Sequence, residues 1–287
     1  MKDKQKFLII GGDNRQLYMA DYLEKIGHEV EIYGLPETNR FCCRNIYEEI
    51  EKSKNIILPL PVSKDGKSIP SIVPVKETVS DLVAFFNNKN RIFAGMISNS
   101  VKAKLESNNS RVYDYFKREE VTVMNAVPTV QGILKAIIDN IDFTINSSKI
   151  AVFGYGRIGS LTADILSSIG ADVTVCARKY SDLAKASSKG IKSLFINEFS
   201  PVAHGFDIIV NTVPAIVIGR EILSQLNNKC LVIDVASAPY GTDFAVASEL
   251  GVNAMLYSSL PGKVAPKSAG EIIAKGVLNI IKEEFGE

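Results

Sequence analysis

The sequence predicts an α/β protein of two doubly wound, Rossmann-like domains with parallel sheets, joined by a linker helix and ending in a C-terminal helix. Three observations carry this. A strand–turn–helix–strand pattern occurs twice. The other apolar runs are short and rich in Val and Ile, as suits parallel strands buried on both faces. The second copy of the pattern turns on GYGRIG (154–159), a GxGxxG between strand and helix.

Residues 6–35 align without a gap on 149–178, at an offset of 143. Identities fall at Lys6/Lys149, Gly11/Gly154, Ala20/Ala163, Asp21/Asp164, Leu23/Leu166, Ile26/Ile169, Gly27/Gly170 and Val30/Val173. Gly27 and Gly170 stand where a helix C-terminus takes a left-handed residue. In the second helix Ile158, Leu161, Ile165 and Ile169 keep helical spacing. The alignment argues for similar architecture rather than for duplication, since any two βα units share these features.

Further strands are expected in 55–63, 91–98 and 121–128 of the first half, and in 207–214, 230–237 and 253–261 of the second. Between the halves, Val130, Ile133, Leu134, Ile137, Ile138 and Ile141 form a helical stripe, with Pro128 suited to the first turn. This places a first domain at 1–127 and a nucleotide-binding domain, with both extra helices, at 128–287. The last helix is expected from about Ala269 to Phe285, with Ser268 and Glu271 at capping-box spacing and Ile273, Val277, Ile280 and Ile281 inward.

Charge excludes one class of function. The 33 basic and 32 acidic residues leave a net charge of +1, which argues against an electrostatic nucleic-acid footprint. No uninterrupted apolar run approaches a membrane span, and FLII is too short for a signal-peptide core, so a cytoplasmic protein is expected. Cys42 and Cys43 are adjacent, Cys176 and Cys230 sit in apolar runs, and neither His28 nor His204 has ligand spacing around it; no metal site is expected.

GYGRIG assigns the cofactor site. Gly154 permits the tight turn, Gly156 lets a pyrophosphate approach the backbone, and Gly159 lets helix and strand pack closely, with Arg157 and Ile158 opening the helix. The phosphates then meet N–H groups at a helix N-terminus. An NAD enzyme usually carries an acid about 20 residues on. This chain has Ala177, Arg178, Lys179 and Ser181, whose cations would attract a 2′-phosphate. NADP is therefore expected over NAD, with Arg178 stacking on adenine as an alternative use of that side chain. The loops carrying Thr212, Val213 and Pro214, and Asp234, Ala236 and Ser237, should flank the nicotinamide half. Asp234 is equally readable as a buried acid that only orders its loop. In the first copy, GGDNRQ (11–16), Asp13 replaces Gly156 and Gln16 replaces Gly159. An acid and a long side chain at those positions oppose a second dinucleotide.

Taken together, GGDNRQ, NAVPTVQG (125–132), GYGRIG, DVASAPYGTDF (234–244) and LPGKVAPKSAG (260–270) resemble the A-subunit family of dipicolinate synthase over nearly the whole chain. In that family the linker motif often reads PTxEG; here Gln131 takes the acid's place, which removes a general acid–base there. The resemblance implies oxidation of dihydrodipicolinate, or of 4-hydroxytetrahydrodipicolinate after dehydration, with NADP. It implies the flavoprotein-like B component of dipicolinate synthase as partner, and the mother cell of a sporulating bacterium as location. The substrate's two carboxylates then need anchors, for which Arg15, Lys263, Lys267 and N–H groups at helix starts are the candidates; Ser63, Ser98, Asn99, Asn125 and Thr129, read as polar strand-end residues, would complete the pocket, with Gln16 beside them and Asp13 orienting Arg15 or capping the helix. Lys267 is the candidate base, with proton loss to water as the alternative. Two other readings stay open: a dehydrogenase of another small carboxylate, and a non-catalytic nucleotide-binding chain supporting the B component. Apolar helix surfaces allow a homodimer without requiring one.

Overall fold

The inner strands, short runs rich in Phe, Val and Ile, are buried from both sides, while edge strands such as EVEIY (29–33) and RVYD (111–114) are only partly covered. The structure, a computed structural model, describes residues 4–36, 43 and 45–287, so Cys42 lies outside it. The chain divides into two units, Met1–Asn125 with Ala265–Glu287, and Ala126–Val264.

The first unit runs β1 (Lys6–Ile10), α1 (Asn14–Lys25), β2 (Glu29–Tyr33), α2 (Ile46–Lys52), β3 (Asn55–Ile57), α3 (Val79–Val83), β4 (Arg91–Ala94), α4 (Asn99–Leu105) and β5 (Arg111–Asp114). A long helix, α5 (Glu119–Ile138), then leads into the second unit. There follow β6 (Lys149–Phe153), α6 (Arg157–Ser168), β7 (Asp172–Ala177), α7 (Tyr180–Ser188), β8 (Lys192–Phe195), β9 (Ile208–Asn211), α8 (Arg220–Leu223), β10 (Leu231–Asp234), α9 (Phe244–Glu249), β11 (Asn253–Leu256) and α10 (Leu260–Val264). The last helix is α11 (Pro266–Phe285).

The first sheet has the order β2-β1-β3-β4-β5 and the second β11-β10-β9-β6-β7-β8, every pair parallel. Strand order reverses between β1 and β3, and again between β6 and β9. Those are the switch points where such sheets open a crevice at the carboxyl ends of their strands. The repeat holds residue for residue: α1 and α6 each span 12 residues at the same offset. Gly11 N–H bonds Tyr33 O at 2.7 Å, and its counterpart Gly154 N–H bonds Cys176 O at 2.8 Å. Gly27 and Gly170 both take positive φ, 98° and 90°.

Several expectations are corrected. Residues 121–128 are helical rather than a strand, and Pro128 sits inside α5, not in its first turn. Val121, Ala126, Val130, Ile133 and Ile137 are buried at helical intervals, and this outweighs the β-branched content of the run. The fifth strand is instead RVYD (111–114), short and charged at both ends. By length and composition α5 could cross a membrane; half of its most apolar stretch is buried in the protein, as in a core helix. Ile138 and Ile169 are largely exposed, so the expected stripes on α5 and α6 stop short of them. The buried side of α6 is Gly159, Thr162, Ala163 and Leu166.

The last helix starts at Pro266, with no side-chain cap from Ser268 or Glu271. It belongs to the first unit, so the boundary expected at 127/128 does not describe the far end of the chain. Ile273, Val277, Ile280 and Ile281 pack with Phe7, Ile9, Met19 and Leu23. Each such buried side chain contributes about 1.5–3 kcal/mol. Gly270 allows the close crossing of α11 over α1: a Cβ there would press on the Arg15 carbonyl oxygen and lie 2.9 Å from Met19 N.

Candidate active site

At β6 the turn has the form a diphosphate needs. Gly154 has φ +90°, and a Cβ on it would lie 2.6 Å from Thr212 Oγ1. Gly159 packs so closely that a Cβ would strike the Gly154 carbonyl oxygen and lie 3.0 Å from Thr212 Oγ1. Gly156 is the N-cap of α6, no side chain caps that helix, and a Cβ at Gly156 would meet nothing within 4 Å. The N-terminus of the helix therefore has open space in front of Gly156, while Ile158 in the same turn packs partly against the core. Donors of this kind, backed by a helix dipole, bind phosphate.

The corresponding turn at β1 is closed on itself. Asp13 caps α1 through Arg15 N–H at 2.9 Å, and Gln16 Oε1 accepts from Asp13 N–H at 2.9 Å, a reciprocal capping box. Gly12 N–H bonds Pro70 O at 2.6 Å. The amides that a phosphate would use are taken, and the Gln16 side chain fills the space beside Gly12. Arg15 is buried; its Nε and Nη2 hold Asp13, and Nη2 also donates to Leu60 O at 2.6 Å. Nη1 alone on this guanidinium makes no hydrogen bond among the described residues. Burial would raise the Asp13 carboxyl, but its hydrogen bonds and charge pairing with Arg15 outweigh that and hold it below the usual range. Gln16 is fully buried, and its Nε2 has no hydrogen-bond partner among the described residues.

Two loops shape the second crevice. Asn211, at the end of β9, bonds Val213 O through Nδ2 and Val213 N–H through Oδ1, both at 3.1 Å. Thr212 Oγ1 donates to Phe153 O at 2.8 Å, which ties this loop to β6. Asp234 is fully buried, and its carboxylate accepts from Ala236 N–H and Gly241 N–H, each at 2.9 Å. With both oxygens so used, Asp234 orders the 235–241 loop instead of facing a ligand. Pro214 and Ser237 are exposed and Ala236 is buried.

At the end of β7, Arg178, Lys179 and Ser181 are all exposed, and Lys179 is the N-cap of α7 with no side-chain cap. Tyr180 beside them is 79% exposed and meets the Phe195 ring edge-on at 4.6 Å. That leaves a flat aromatic face next to two cations.

The substrate-side candidates are less united. Ser98 caps α4, with Asn99 next to it, and Ser63 Oγ donates to Asp65 Oδ1 at 3.0 Å. These residues follow β4 and β3 and share the strand-end edge with Arg15. Asn125 and Thr129 are not strand-end residues; both lie within α5, and Thr129 is buried. Lys263 is exposed in α10. Lys267 lines a groove along α1 with Tyr18, Asp21, Tyr22, Lys25 and Glu271. No group of three or more metal-ligating side chains occurs among the described residues.

The comparisons with known proteins agree with this geometry. The family model for the N-terminal domain of the dipicolinate synthase A component matches residues 6–116. The model for the NAD-binding domain of D-isomer specific 2-hydroxyacid dehydrogenases matches residues 136–252. The dipicolinate synthase A component of Bacillus subtilis (strain 168) is 32% identical, over 97% of this chain and 96% of its own length. The chain belongs to the A-subunit family of dipicolinate synthase. The crystal structure of the Bacillus subtilis protein superposes with a TM-score of 0.88 at 30% identity, covering 100% of this chain and 99% of that one. Its counterpart from Bacillus halodurans gives 0.88 at 28% identity, covering 96% and 97%. D-lactate dehydrogenase from Escherichia coli, at 12% identity and a TM-score of 0.61 over 99% and 98% of the two chains, shares the fold alone.

Like its family, then, this dipicolinate synthase homologue is an NAD(P)-dependent oxidoreductase with its nicotinamide cofactor on the second unit. Two contributors to the site were missed in the sequence. Gly241 fits against the Asn211 amide and the Val213 carbonyl, where no side chain has room. Asp114 accepts from Met96, Ile97 and Phe116 N–H at 3.2, 3.1 and 3.0 Å and so shapes the loop after β4. A strand-end acid before an aromatic pair was its only signal.

Proposed function

We propose that the chain oxidises dihydrodipicolinate, or 4-hydroxytetrahydrodipicolinate after loss of water, to dipicolinate, with NADP as acceptor and together with the B component of the synthase. The observation that carries the reading is the contrast between the two turns: α6 open at Gly156, α1 closed by Asp13 and Gln16. Gly154, Gly156 and Gly159 would hold the diphosphate, with Arg157 and Ile158 in the same turn. Thr212, Val213, Pro214, Ala236 and Ser237 would border the nicotinamide half. Arg178, Lys179 and Ser181 favour a 2′-phosphate, because no acid stands at Ala177 or Arg178, where an NAD enzyme carries one.

When bound, the cofactor accepts a hydride from the ring. The chain's own residues orient the ring, and its aromatisation supplies the driving force. Arg15 Nη1, Ser63, Ser98, Asn99 and Lys263 are the proposed carboxylate contacts, and Asp13 and the Leu60 carbonyl hold Arg15 in place, with Gln16 bonded to the Asp13 backbone. The ring carbon next to the imine is acidified, so its proton passes to water; Lys267, in the groove it shares with Asp21 and Glu271, is the alternative base. The 2-hydroxy-acid reading gains no support from the histidines. His28 sits before β2 and accepts from Gln5 N–H at 3.3 Å, while His204 is an exposed residue of a 3-10 turn. The family assignment favours the cytoplasm of a sporulating cell.

The test is an assay of the purified chain, alone and with the B component, using dihydrodipicolinate generated in situ and NADP. Ultraviolet absorption of a pyridine dicarboxylate is the expected product signal. Absence of product with both proteins present would overturn the proposal.

A further inference from the structure

At the opposite end of the first sheet from Gly11–Gln16, where β3, β4 and β5 begin, lies a cavity of about 440 Å3. Among the described residues its lining includes Lys52, Lys54, Lys89, Arg91 and Arg111, the ring of Phe285 and one acid, Glu51. Five cations gathered around one cavity repel each other unless anions balance them. Part of the balance comes from the chain itself. Gly286 takes a left-handed φ of 68° after α11 and turns the backbone so that Glu287 faces back. The Glu287 carboxylate then receives Arg91 Nη1 and Nη2 at 2.9 and 3.0 Å, and Lys54 Nζ at 2.7 Å.

This is the paired fork geometry with which arginine recognises free carboxylates and phosphates. Arg91 is itself buried, with its guanidinium 3.4 Å from the Phe285 ring centroid, so the fork is fixed in position before any ligand arrives. Lys89 and Arg111 line the same cavity and hold no ion pair among the described residues; Arg111 only approaches Phe285, at 5.6 Å.

We propose that this cavity is a second anion site, which binds a small molecule carrying two adjacent anionic groups, carboxylate or phosphate. One group pairs with Lys89 and Arg111. The other takes the Arg91 fork in exchange for the Glu287 side chain.

Calorimetric titration of the full chain with malonate and with inorganic pyrophosphate tests this, combined with amide chemical-shift mapping. Saturable binding is expected, with shifts at residues 52–54, 88–91 and 111. The stronger of the two probes identifies the class of the natural ligand. The Lys89→Ala/Arg111→Ala double variant should weaken binding at least about tenfold with turnover unchanged, since each lost charge-assisted contact is worth more than a neutral one. Glu287→Gln should tighten binding, because the internal competitor loses its charge. The proposal fails if neither wild type nor Glu287→Gln binds either probe saturably. It fails equally if the double variant binds as wild type does, or if pyrophosphate shifts only residues 154–159.

Discussion

Gly156→Ala separates the proposed diphosphate cradle from the stability of the fold. The added methyl would meet no atom of the protein within 4 Å, and the residue's φ of −80° suits alanine. Folding stability should therefore change by no more than about 0.5 kcal/mol, as at an ordinary surface position. A diphosphate oxygen, by contrast, must come within about 3 Å of the helix amides to bond them. The methyl occupies that approach. Losing one hydrogen bond to a charged group costs about 1.5–3 kcal/mol, or about 10- to 150-fold in Kd. The assay is a fluorescence titration with NADPH alongside thermal unfolding. Gly159→Ala is the contrasting control: its methyl meets the Gly154 carbonyl and Thr212 Oγ1, so it should lose stability by about 1–3 kcal/mol as well as affinity. If Gly156→Ala binds NADPH as tightly as wild type, the open turn at α6 is not the diphosphate site.

Other outcomes follow from the same geometry. Arg178→Ala with Lys179→Ala should raise KM for NADP about tenfold or more while sparing NAD, and equal effects on both would reject the 2′-phosphate assignment. Asp13→Ala removes a helix cap and Arg15's partner, so unfolding should shift by about 1–2 kcal/mol while NADPH affinity stays put; a loss of NADPH binding would place the cofactor on the first unit. Lys267→Ala should alter kcat by less than about threefold if water takes the proton, and a loss of about a hundredfold or more would make it the base. Hydrogen bonds from Arg91 and Lys54 hold Glu287 down to about 2, from an ordinary value of 4.5. Its folded-state pKa is lowered, so its contribution is complete above pH 4.5 and fades as pH falls towards 2. Thermal midpoints of wild type and Glu287→Gln should accordingly differ at neutral pH and converge in acid; a constant gap would reject the pairing.

Much of this protein could be read from its sequence because its two βα units obey the same local rules. A gap-free alignment placed α1 and α6 on equal lengths, since turn, glycine stop and strand are all fixed by short-range geometry. The roles of Gly154 and Gly159 were equally legible, because only a missing side chain permits those approaches. Elsewhere the information was tertiary. Residues 121–128 carry strand-like residue types, yet burial at helical spacing makes them helix, and with that Asn125 and Thr129 leave the strand ends. RVYD gave no warning, because its two charged ends hide a strand of four residues. Asp234 was open to two readings until its amide partners were known. The position of Lys267 depends on where α11 lies against α1, and no local pattern encodes that.

The return of α11 to the first unit has a consequence for how the chain acquires its structure. Met19 and Leu23 are shielded in part by Ile273, Val277 and Ile280, residues made more than two hundred positions later. Ala126–Val264 is continuous and can complete its core while still being synthesised. The first unit is completed after the second, because its hydrophobic interior waits for Pro266–Phe285 to be made. Ribosome-bound chains stopped before Ala265 should thus show a protease-resistant second unit and a labile first one.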